Sequence, residues 1–248
     1  MRTFIALVIV CLALTQLCGN VSAGLITIGA GVGMKDVVND IAAAFIKNNQ
    51  SIKILKNYAA SGVLAKQIDN GAHIDITLVA NVNWMDYLKE KRYVDVNTIT
   101  PFAYNTLVFV SKGAQGVSRL EELTKLNRIA VGSPKSVPAG EYTMEAFRNA
   151  GIYKQLEQKL VLARDVRECL LYAERGDVDG AIVYKTDALL SKDTTILFTV
   201  PQKLYSRVIF LSALTVSGVK NQDAVNFFSF LHSHEAKALL LKYGFEVQ

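Results

Sequence analysis

The sequence predicts an α/β protein of two lobes, each a sheet flanked by helices, joined by a two-segment hinge. Three observations predict it. From residue 25 onward, short apolar runs alternate with segments of helical period, as layered α/β structures require. The alternation restarts at Pro101 with no low-complexity linker before it. A final apolar stretch, residues 208–216, then precedes two more helical segments, which places the end of the chain back on the first lobe. The expected division is residues 24–103 with 209–248 for one lobe and 104–208 for the other, with crossings near 101–109 and 198–210.

In chain order, residues 25–28 read as a strand, and residues 34–47 as an amphipathic helix with Val37, Val38, Ile41, Ala42 and Phe45 on one face. Residues 52–58 form a second strand, 62–69 a helix, 74–79 a third strand and 83–91 another helix. In the second half, 107–110 and 128–131 read as strands, 137–150 contains a helix, 166–175 is a helix and 180–183 a strand. The helices 222–231 and 234–243 close the chain.

At the N-terminus, Met1 and Arg2 precede an apolar run over residues 4–14, and the small residues Val21-Ser22-Ala23 follow. That order is a secretory signal peptide, residues 1–23, cut after Ala23; the run is shorter than the ~20 apolar residues of a spanning helix. A lipid anchor at Cys18 is the alternative, disfavoured by Leu17, where a lipoprotein peptidase takes a small residue. With Cys11 and Cys18 inside the signal, Cys169 is the only cysteine left. The exported chain therefore has no internal disulfide, and its core carries the fold. His73, His232 and His234 are the only histidines and read as surface residues rather than metal ligands. The net charge of +5 is spread out, with Lys89, Lys91 and Arg92 the densest group; no stacking platform accompanies it, so nucleic acid is not an expected partner.

Ligands of open α/β sheets collect where strands end and helices begin. Four segments have that character: Gly29-Ala30-Gly31-Val32-Gly33, Ala59-Ala60-Ser61-Gly62, Val137-Pro138-Ala139-Gly140 and Arg164-Asp165-Val166. The first is not a dinucleotide fingerprint, because G-x-G-x-G lacks the final spacing and no acidic ribose reader follows. Taken alone, Ser61 reads as a helix cap and Tyr184 as a core tyrosine with its hydroxyl satisfied by backbone. Asp165 reads as a cap, since a carboxylate repels an anion, and Trp84 as packing. No enzyme is indicated: Ser61-Gly62 lacks the G-x-S-x-G context, and no histidine stands in a partner motif.

A series of blocks then carries a resemblance: Ala60-Ser61-Gly62-Val63-Leu64-Ala65-Lys66-Gln67-Ile68, Asn83-Trp84-Met85-Asp86-Tyr87-Leu88, Ser136-Val137-Pro138-Ala139-Gly140-Glu141-Tyr142, Asp165-Val166-Arg167, the run from Glu174 to Ala188, and Lys242-Tyr243-Gly244-Phe245. In this order they resemble the periplasmic molybdate-binding proteins of ABC importers along essentially the whole exported chain. The resemblance implies a type II periplasmic-binding fold, with molybdate or tungstate held in the interlobe cleft by neutral donors. It implies a monomer that needs no cofactor and hands its anion to the importer permease in the membrane. Position by position, Ser61 supplies hydroxyl and N–H, Ala139 and Val166 their N–H groups, and Tyr184 its phenol. Gly33 departs from the pattern, standing where the family has a serine, so one hydroxyl is missing; a hydrogen bond to a charged group contributes about 1.5–3 kcal/mol. The alternative is a binding protein for another small anion or organic acid, feeding a sensor.

Overall fold

The computed structural model describes residues 24–113 and 116–247. The expected signal, with Cys11 and Cys18, lies outside the described residues. Leu25–Gly31 (β1) is buried along most of its length, as a strand inside a parallel array must be. It pairs in parallel with Lys53–Ala59 (β2) on one side and Ile76–Val79 (β3) on the other. Between them run Lys35–Lys47 (α1) and Ser61–Asp69 (α2). α1 buries Val37, Val38, Ile41, Ala42 and Phe45, the face its periodicity predicts. β2 is the outer strand, and its exposed Lys53 and Lys56 discourage edge-to-edge pairing. Val82–Glu90 (α3) follows β3.

Thr100–Asn105 (β4) and Leu107–Ser111 (β5) are separated by Thr106 alone, yet belong to different sheets. The second sheet continues with Ile129–Gly132 (β6), Pro138–Asn149 (α4), the short Tyr153–Leu156 (α5), Leu160–Ala163 (β7), Val166–Arg175 (α6), Gly180–Tyr184 (β8), Lys185–Ala188 (α7) and Thr195–Thr199 (β9). Val208–Leu214 (β10) then returns to the first sheet, followed by Gln222–Leu231 (α8) and His234–Lys242 (α9). The two sheets have five strands each, in the orders β2-β1-β3-β10-β4 and β7-β6-β8-β5-β9. In both, three parallel strands carry the helices while two antiparallel pairings bring in the strands next to the crossings. This is the two-lobed α/β class the alternation predicts.

β4, β7 and β9 were not among the expected strands. β7 and β9 lie at the edges of their sheet and are half-exposed, so neither has the continuous apolar run of a buried strand. Pro101 disguises β4, which tolerates proline because it too is an edge strand. The α1 helix begins one residue later than expected, after a 3-10 turn over Val32–Met34. His232 corrects another expectation: rather than lying on the surface it is half-buried, 3.0 Å from the Ser212 hydroxyl and against the Phe102 and Phe228 rings, where burial lowers its pKa. α8 and α9 pack on the first lobe, with the Phe227 ring edge-on to Phe45 at 5.0 Å. Among the described residues, no helix is long and apolar enough to cross a membrane.

One contact holds α4 at its angle to the second sheet. A Cβ on Gly140 would lie 1.9 Å from the backbone oxygen of Gly132 in β6, so helix and strand approach as closely as backbones can. Gly140→Ala should therefore destabilise the protein by about 3 kcal/mol or more, the upper range for overpacking, since backbone cannot yield like a side chain. Urea unfolding checks this: the midpoint should fall with the slope unchanged.

Candidate functional site: an interlobe cavity at four helix starts

The parallel strands of both sheets point their carboxyl ends at the cleft. Around it close residues 31–33, 59–61, 137–139 and 165–166, with Ala80, Tyr184 and Phe210. These segments belong to the four strand-to-helix turns singled out in the sequence, two from each lobe. All five expected site residues, Gly33, Ser61, Ala139, Val166 and Tyr184, line this one cavity.

The first N–H groups of a helix have no carbonyl to bond within it. Three longer helices that start elsewhere meet that need with side chains: Asn81 caps α3, Asn221 caps α8 and Ser233 caps α9. At three of the four starts around the cavity no side chain does so. The starts of α1, α2 and α4 carry Met34, Ala60 and Val137 at the cap position, with no side-chain hydrogen bond. Pro138 opens α4 without an N–H, and Gly140 donates to Val137, so Ala139 keeps a donor outside the helix ladder. The fourth start is capped by Asp165, but its carboxylate accepts from Glu168 N, two residues beyond Val166. Asp165 is thus a cap, as expected from its charge.

Ser61 is the first residue of α2 rather than its cap, which corrects the simpler reading of its sequence context. Its Oγ accepts from Ala80 N at 3.0 Å, and that bond leaves the hydroxyl hydrogen free to donate. Tyr184 is 3 % exposed, and its hydroxyl has no hydrogen-bond partner among the described residues. Burial pushes its pKa well above the ordinary phenol value, so it stays a neutral donor. Gly33 lies outside the left-handed backbone region, so its conformation is open to other residues. A Cβ there would sit 3.2 Å from Asp187 Oδ2 and 3.4 Å from Val166 Cγ1, a tight fit that a serine could occupy only if the carboxylate gave way slightly.

Several residues around the cavity were not anticipated as functional. Glu141, in the first turn of α4, accepts from Asn81 Nδ2 at 2.8 Å, Asn83 Nδ2 at 3.3 Å and Trp84 Nε1 at 2.9 Å, all on the other lobe. Trp84, expected to be packing, also reaches across the cleft. Gly62 N donates to Ser136 O at 3.0 Å, a backbone bond between lobes where a side chain on Gly62 would collide with Trp84. On the opposite side, Arg167 Nη2 donates to Asp36 Oδ2 at 2.5 Å, and Arg167 Nε lies 2.5 Å from Asp187 Oδ1. The Nε–H does not line up on that carboxylate, so the second contact is an ion pair rather than an aligned hydrogen bond, and neither Asp187 oxygen has a donor among the described residues. Only the dipole-favoured acids in first helical turns, Asp36 and Glu141, hinted at these ties; pairing across lobes leaves no local pattern.

Two lobes closing over one small cavity define a bilobal solute-binding protein. Residues 26–246 match the family described as bacterial extracellular solute-binding protein, and the chain belongs to it. It is a binding protein and not an enzyme. It is 33 % identical over 240 residues to the molybdate-binding protein ModA of Escherichia coli (strain K12), covering 93 % of each chain. Its fold is similar to the periplasmic molybdate-binding protein of Azotobacter vinelandii, at a TM-score of 0.81 and 18 % identity over 90 % of this chain and 99 % of that one. It is also similar in fold to the sulfate-binding protein SubI of Mycobacterium tuberculosis H37Rv, at a TM-score of 0.77 and 15 % identity over 90 % of this chain and 86 % of that one.

Asp187 gives the site a pH signature. Burial pushes its carboxyl up to about 7, against the attraction of Arg167 and with added repulsion from Asp36 and Asp165. Between about pH 4 and pH 7 the folded state then holds a proton that the unfolded chain has lost. Stability is fully present below that window and falls as pH rises through it, by up to about 1.4 kcal/mol per unit. Urea unfolding of ligand-free protein from pH 4 to 8 should show stability falling up to about pH 7 and levelling above it, and Asp187→Asn should flatten the fall.

Proposed function

We propose that this protein captures a tetrahedral oxyanion, molybdate or tungstate, outside the cytoplasm and delivers it to an ABC importer. The observation that carries the reading is the buried Tyr184 hydroxyl, unpartnered at the wall of the cavity. A buried polar group without a partner costs about 1–3 kcal/mol, and a ligand oxygen would recover it. The surroundings suit an anion. Four helix starts contribute partial positive charge, each equivalent to about half an elementary charge, and the lining side chains include no lysine or arginine. Gly33, Ser61, Ala139 and Val166 supply N–H groups, with hydroxyls from Ser61 and Tyr184; Gly33 makes the first loop a backbone donor only.

Size favours the same class. The cavity volume open to the centre of a water-sized sphere is about 20 Å3; adding back that sphere's radius of about 1.4 Å gives a space about 3 Å in radius. One tetrahedral oxyanion matches that radius. The similar protein from E. coli is named for molybdate binding, which supports molybdate among oxyanions of that size. Signal cleavage after Ala23 would release the mature protein, with the first lobe at residues 24–103 and 209–248 and the second at 104–208.

Calorimetry and thermal shift on ligand-stripped protein test the reading with molybdate, tungstate, sulfate and phosphate. Molybdate and tungstate should give heat and raise the melting temperature by mass action; silence with both at millimolar concentration sinks the assignment, and a response to sulfate alone redirects it. Tyr184→Phe should weaken molybdate binding about 10- to 100-fold, the equivalent of one charge-assisted hydrogen bond. The same change should leave ligand-free stability equal or higher, because it deletes an unpartnered hydroxyl. Lost stability with unchanged affinity would mark the tyrosine as core only.

A further inference from the structure

Two polar ties cross the cleft on opposite sides of the cavity, one centred on Glu141 and the other on Arg167. The second is placed to act on retention. Asp36 follows Gly33 by three residues in the first turn of α1, and Arg167 follows Val166 by one in α6. Their ion pair thus joins the two donor loops that face each other across the cavity, while neither residue lines it.

Its two halves are not equivalent. Within its own lobe, Arg167 also lies against Asp187, which is 0 % exposed, so the guanidinium has an acid beside it on its own side of the cleft. Asp36 comes from the other lobe and its side chain is 38 % exposed. On opening it moves into water with little penalty. The contact between lobes is therefore made and broken at Asp36. We propose that the Asp36–Arg167 ion pair is the latch that keeps the lobes closed over the bound anion. The two are positioning residues that set how fast the anion leaves without touching it. The latch rests on the reading of the cavity as an oxyanion site. It also separates closing from capture: the donors that meet the anion are neutral, and the charge that holds the door lies outside them. An ion pair formed only once the lobes meet acts on the dissociation rate rather than on encounter.

Asp36→Asn is the informative variant, because it breaks the interlobe pair and leaves Arg167 with Asp187. Trp84 is the single tryptophan of the chain and bonds across the opposite side of the cleft, so its fluorescence reports closure. Stopped-flow measurements on the secreted protein with molybdate should show release about three- to tenfold faster in Asp36→Asn, with association within about twofold of wild type, as for loss of one partly exposed charge pair. The melting temperature of the ligand-free variant should match wild type. Asp36→Glu, which keeps the charge, should restore most of the slow release. Equal release rates in wild type and Asp36→Asn overturn the latch, as does a loss of ligand-free stability that Asp36→Glu does not repair. If wild-type protein answers to none of the four oxyanions, the ligand reading falls by itself. Small-angle scattering of ligand-free protein then decides the latch: a larger mean radius of gyration in Asp36→Asn supports it, and identical scattering overturns it.

Discussion

Backbone N–H groups at helix starts must find acceptors, and this chain aims four sets of them at one point. Around that constraint the two lobes become intelligible. Each sheet ends its parallel strands at the cleft, so each delivers two helix starts there. The helices that start elsewhere with Asn81, Asn221 or Ser233 close their own ends; three of the four at the cavity begin with Met34, Ala60 and Val137, which cannot, and only the fourth is capped, by Asp165. Unused donors are costly in a folded interior, and stability is given up there for a site that accepts an anion.

The charged residues obey a division of labour. Cavity walls are made of backbone, apolar side chains and two hydroxyls, with Asp165 turned aside into its own helix. The formal charges stand behind these walls: Glu141 holds Asn81, Asn83 and Trp84, and Arg167 balances Asp36 and Asp187. A lysine in the cavity would bind anions of many shapes through one strong, weakly directional charge. Fixed dipoles demand that acceptor oxygens lie where the N–H groups point, and this favours shape selection together with reversibility. Asp187 is the exception within the scheme. Fully buried beside Gly33, it is a carboxyl that burial pushes up to about 7.

Much of the fold was legible because it is written in local periodicity. The five-residue face of α1 and the bounds of α6 could be read from the spacing of apolar residues alone, and the buried strands from their continuous runs. β4, β7 and β9 escaped for a common reason: edge strands need neither full burial nor an unbroken set of donors, so polar residues and Pro101 are tolerated in them. His232 escaped because a single histidine in a helix has no periodic signature, and its burial is set by Phe102 and Ser212 from distant parts of the chain.

The sequence by itself determined the two-lobed α/β class and the four strand-to-helix turns, since strand ends and helix starts are local properties; the five residues expected at the cavity came from the family resemblance, because taken alone Ser61 reads as a cap and Tyr184 as a core side chain. Only the tertiary structure decided that these turns meet around one cavity, that the Tyr184 hydroxyl has no partner among the described residues, and that Arg167 stands between acids from both lobes. Asp36 and Arg167 are 131 residues apart in sequence, and nothing local marks either as the other's partner. Their pairing follows from how two sheets, each folded by its own hydrophobic pattern, come to face one another across Thr106 and the returning strand.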